Sequence, residues 1–79
     1  VAVDFEEVGK DFVIIDKDEH CELIGVSEGM KVRCYDVMGR LMWSKVVDND
    51  RFEFVAPQGL YFLQVIDGGK VSVIKGMRN

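Results

Sequence analysis

Apolar residues in this chain fall in short runs separated by charged or glycine-bearing turns. No useful stretch carries the three-to-four-residue repeat of an amphipathic helix. Strands are therefore expected over residues 1–5, 11–15, 20–26, 30–35, 41–47, 51–55, 60–66 and 70–74. Polar clusters separate several of them: Asp16-Lys17-Asp18-Glu19, Ser27-Glu28-Gly29 and Asp48-Asn49-Asp50. The only proline, Pro57, falls in a connection and interrupts no interior strand. Residues 60–66 are apolar on both faces. Tyr61, Leu63 and Val65 share one side; Leu60, Phe62 and Ile66 share the other with Gln64. That pattern predicts a strand that is central or covered on both sides.

Spacing of this kind suits two antiparallel sheets packed face to face. The expected fold is all-β: a small immunoglobulin-like β-sandwich of about seven antiparallel strands. Trp43 and the phenylalanines at 5, 12, 52, 54 and 62 are spread over the predicted strands, as core residues are. Two turns are legible in detail. Asp36 opens a type I turn, where its carboxylate can accept a local backbone hydrogen bond, and Gly39 can take positive φ. With Arg40 and Leu41 following, the prediction is a hairpin carrying a glycine bulge. Asp67-Gly68-Gly69 predicts the second hairpin. Pro57 and Gly59 mark a corner, and Tyr61 just beyond it can return its hydroxyl to the backbone as a tyrosine corner does. Lys70, Lys75 and Arg78 on the last hairpin would discourage edge-to-edge pairing.

Seventy-nine residues form one domain, spanning 1–79, and 48% hydrophobic content is ample for a packed core. No apolar run approaches the roughly 20 residues of a membrane helix, so no transmembrane segment is expected. Val1 is not an initiator methionine, so the chain reads as a piece of something longer. The net charge is −4, divided unevenly: residues 1–28 sum to −7 and residues 29–79 to +3. The acidic total argues against nucleic acid as a partner. The basic C-terminal part could meet an acidic receptor or an anionic lipid surface, or could be an ordinary solvated face.

Chemistry-bearing patterns are sparse. Cys21 and Cys34 lack the spacing of a zinc site and read as buried free thiols, with a disulfide between neighbouring strands as the alternative. His20 has no nucleophile at a recognisable motif and reads as a strand-edge residue beside acids. The acidic turns lack the twelve-residue calcium-loop pattern. Gly68-Gly69 is a hairpin turn, not a phosphate loop. No enzyme signature and no cofactor motif emerges.

The segment Tyr35-Asp36-Val37-Met38-Gly39-Arg40-Leu41, followed by Pro57, Gly59 and Tyr61 and then a lysine-bearing final strand, resembles the C-terminal sorting domain of type IX secretion cargo. The similarity covers residues 30–79 well and 11–29 loosely; the P-N-P opening of many members is absent. The resemblance implies a non-catalytic address label. Such a domain follows an N-terminal cargo domain, passes through the periplasm, engages the outer-membrane type IX translocon, and meets a sortase-like cysteine transpeptidase at the cell surface. It further implies a recognition surface on the last hairpin, shaped or presented by Gly59, Tyr61, Gly68, Gly69, Lys75 and Arg78. In the same family Tyr35, Asp36, Gly39 and Arg40 shape the fold. The alternative is an immunoglobulin-like accessory module of a surface hydrolase, or a carbohydrate-binding module using Trp43 with Tyr35.

Overall fold

A computed structural model describes residues 12–17 and 19–78. The strand expected over residues 1–5, and Asp11 at the start of the next, lie outside them. Seven strands follow: β1 (Val13–Asp16), β2 (Cys21–Ile24), β3 (Lys31–Asp36), β4 (Leu41–Val46), β5 (Phe52–Phe54), β6 (Gly59–Asp67) and β7 (Lys70–Arg78). There is no helix among the described residues, hence none long and apolar enough to cross a membrane. The strands form a three-stranded sheet ordered β1-β2-β5 and a four-stranded sheet ordered β4-β3-β6-β7. Every pairing is antiparallel. The molecule is a small β-sandwich of two antiparallel sheets.

The core is the set of inward positions that period-two alternation supplies. Leu23, Val32, Cys34, Leu63, Val65 and Tyr61 are almost fully buried, and Phe52, Phe54 and Ile74 close the layer. Burying each large side chain contributes about 1.5–3 kcal/mol. Aromatic rings bridge the layers. Trp43 lies 5.9 Å from Phe52 and 5.6 Å from Phe54, and Phe54 meets Tyr61 edge-on at 6.1 Å. Phe12 and Trp43 are half-buried against this core, as their sequence placement implies. Phe62 is half-buried and points to the opposite face. Cys21 and Cys34 are free and buried, so the thiol reading holds over the disulfide.

β6 is an interior strand between β3 and β7, the central position that its apolar faces predicted. β7 continues to Arg78, four residues past its predicted end at 74. Gly76 belongs to that ladder as the partner of Tyr61, and the Tyr61 ring lies over it. An aromatic ring across the strand fills the space a glycine leaves empty, and this lets the sheet run on. The buried Tyr61 hydroxyl lies over Gly76, and the Cys21 thiol on the facing sheet donates to Asp16 Oδ1 at 3.7 Å.

Candidate functional site

The ladder brings four strand ends together: the end of β3, the start of β4, the start of β6 and the end of β7. Asp36 pairs with Tyr61, and Gly59 pairs with Arg78. Tyr35, Asp36, Gly39, Arg40, Gly59 and Arg78 therefore gather at one end of the larger sheet, with half-buried Pro57 in the connection entering it.

The β3–β4 turn is built by Asp36. Its Oδ1 accepts hydrogen bonds from the Met38 and Arg40 backbone N–H groups, each at 2.9 Å, and its Oδ2 accepts the Arg40 Nε–H at 2.9 Å. Gly39 donates to the Asp36 carbonyl at 3.0 Å and takes φ +83°, a conformation that other residues adopt at a cost. Tyr35 pairs with Leu41 across a register shift, so the predicted bulge is present. The Arg40 backbone N–H is the main cause that holds the Asp36 carboxyl below its usual range, with its guanidinium helping. The tip leaves Val37 61% and Met38 77% exposed.

The crossover from β5 to β6 is held from both edges of the larger sheet. Trp43 donates its indole N–H to the Val55 carbonyl at 3.1 Å. Arg78 donates to the neighbouring Ala56 carbonyl at 2.6 Å. Arg78 thus ties the corner, a role its terminal position in the sequence did not suggest. Gly59 at φ +88° turns the chain into β6 beside it.

The remaining predicted residues lie elsewhere. Gly68 and Gly69 form the two-residue β6–β7 turn at the opposite end, between the partners Asp67 and Lys70. Gly68 has φ +61° while Gly69 is not in the positive-φ region, the pattern of a type II′ turn. Lys75 is exposed along β7, and Tyr61 is buried beneath the sheet. The single surface expected on the last hairpin is thus divided between two ends and an edge. Trp43 pairs with Cys34 and faces inward; Tyr35 is the next residue of β3 and faces outward, reaching Gln64 Oε1 at 3.4 Å. A shared Trp43–Tyr35 sugar platform is excluded by that alternation.

Reactive groups are quiet. Burial pushes the Cys34 thiol up to about 11 and raises Cys21 as well, so both are protonated at neutral pH. His20 Nε2 stands 2.7 Å from Glu53 Oε2, beside acid as expected. No cluster among the described residues has three metal-ligating side chains together. Sequence reading missed Glu22, whose carboxylate is buried between Lys17 Nζ at 2.9 Å and Arg51 Nε at 3.0 Å. Arg51 lies 29 residues away, so no local signal points to it. No family model matches the chain, and no curated protein matches it significantly.

Proposed function

We propose that the chain is a non-catalytic sorting domain of the type IX kind, which delivers an attached cargo domain through the outer-membrane translocon to the cell surface. The observation that carries the reading is the adjacency of its two motif segments. The Tyr35–Arg40 hairpin and the Gly59–Tyr61 corner are far apart in sequence, yet their residues pair along one end of one sheet, with the final strand beside them. A receptor could read that end as a single rigid surface. The glycine and aspartate chemistry there gives it shape, and the exposed Val37 and Met38 give it area.

Removing the final strand is a poor test. β7 pairs with β6 along nine residues and buries Ser72 and Ile74, so its loss would strip the sheet. Point changes at the hairpin end separate recognition from folding. A passenger with a signal peptide, fused ahead of residues 1–79 in a host with type IX machinery, should become protease-accessible on intact cells. Val37→Asp with Met38→Asp should hold the same passenger in the periplasm while the circular dichroism and melting of the domain stay unchanged. A passenger retained in the periplasm by the intact, folded domain would overturn the proposal and favour an accessory module.

A further inference from the structure

The outward face of the larger sheet carries cations and no carboxylates. Alternation along β3 and β7 turns Lys31, Arg33 and Lys75 away from the core, because Val32, Cys34, Ser72 and Ile74 are the buried positions. None of the three cations makes an ion pair among the described residues. Apolar residues are exposed on the same face: Val46, Val71 and Met77 are 57%, 52% and 59% exposed. No Asp or Glu occupies an outward position on these four strands, in a chain whose net charge is −4.

The arrangement of the cations selects the partner. Lys31 stands between Val46 and Ile66 across the sheet, Arg33 follows two residues along the same interior strand, and Lys75 lies on the edge strand. Lys31 and Lys75 thus have apolar neighbours across the sheet, Val46 with Ile66 for the first and Phe62 for the second, while Arg33 lies between Ser44 and Gln64. A dry protein interface excludes charge from its centre and would need carboxylates at matched spacing to bury these cations. A fluid layer of lipid phosphates needs no matched spacing. Long cationic side chains extend to the headgroups while their apolar neighbours enter the acyl boundary. We propose that this face lies on an anionic lipid surface, with Lys31, Arg33 and Lys75 meeting lipid phosphates and Val46, Val71 and Met77 entering the apolar boundary. The proposal is independent of the sorting reading, since it uses a different face and neither hairpin motif.

Vesicle co-sedimentation of the full chain tests it. Phosphatidylcholine vesicles containing phosphatidylglycerol should capture the protein, phosphatidylcholine alone should not, and added salt should release it. The combined variant K31Q/R33Q/K75Q should lose on the order of 100-fold in partitioning, from three cations each acting near the surface. Val71→Ser with Met77→Ser should weaken binding with the charge unchanged. Lys45→Gln, on the opposite side of β4 over the Trp43 ring, should bind as the parent does. Equal binding to both vesicle types, no binding at low salt, or a triple variant that binds like the parent would each overturn the proposal. Capture of the chain by immobilised polyglutamate with no vesicle binding would also overturn it, assigning the face to an acidic protein. Circular dichroism and melting of each variant keep unfolding from passing as lost binding.

Discussion

The two outward faces of this sandwich handle charge in opposite ways. On the smaller sheet, Glu22 is closed between Lys17 and Arg51, and Glu53 stands against His20. The charges of Glu22, Lys17 and Arg51 satisfy one another within the fold. On the larger sheet, Lys31, Arg33 and Lys75 share a face with exposed Val46, Val71 and Met77 and have no acidic partner among the described residues. A charge paired at home contributes to holding strands together; a charge left open is available to something outside. The contrast also corrects the meaning of the basic C-terminal half. Its positive balance is not one terminal patch: Arg78 is tied to a carbonyl and Arg51 to Glu22, and the open cations lie mostly on β3 and β7.

The largest expected effect would break the scaffold that separates the two faces. A Cβ at Gly76 would stand 2.3 Å from the Tyr61 ring, in a position only glycine leaves open. Gly76→Ala should therefore destabilise the domain by about 3 kcal/mol, as overpacking does. Urea unfolding monitored by Trp43 fluorescence would measure it, and an unchanged midpoint would mean that the ring does not lie over the glycine.

A smaller effect should appear on the smaller sheet. Hydrogen bonds from Lys17, then Arg51, hold Glu22 below its ordinary value of 4.5. A depressed carboxyl stabilises the fold fully above its unfolded pKa, and loses that contribution as pH falls through the folded value. Glu22→Gln should thus lower the melting temperature at pH 7, and the gap to the parent should close on acidification below 4.5. A gap that is constant across that range would show that the pair is not what the carboxylate contributes.

The smallest effect should be on the larger sheet's outward face. K31Q/R33Q/K75Q should change stability by less than about 0.5 kcal/mol, because none of the three makes an ion pair among the described residues. A clear loss in urea unfolding would mean that these cations serve the fold, and would erase the contrast between the faces.

The local features were readable without coordinates. Asp36 and Gly39 build their turn within five residues, so composition and spacing were enough to name both the Asx bond and the positive φ. The two apolar sides of β6 likewise marked it as an interior strand. The roles of Arg78, Glu22 and Gly76 were not readable, since each depends on a partner from another strand. Arg78 meets a carbonyl 22 residues away. Gly76 at the end of an apolar run looks like a strand terminator until the Tyr61 ring is placed over it.

By itself, the sequence determined the period-two alternation, the turn chemistry and hence an all-β chain of short strands, because these depend on backbone and side-chain preferences within a few residues. Only the tertiary structure decided which strands share a sheet and in what register. That pairing placed Trp43 and Tyr35 on opposite faces, divided the predicted recognition residues between two ends, and gathered onto one outward face three cations without an ion pair among the described residues. Strand order is a long-range choice, made by the fit of apolar faces to one another, and a one-residue slip in it would turn every side chain to the other side.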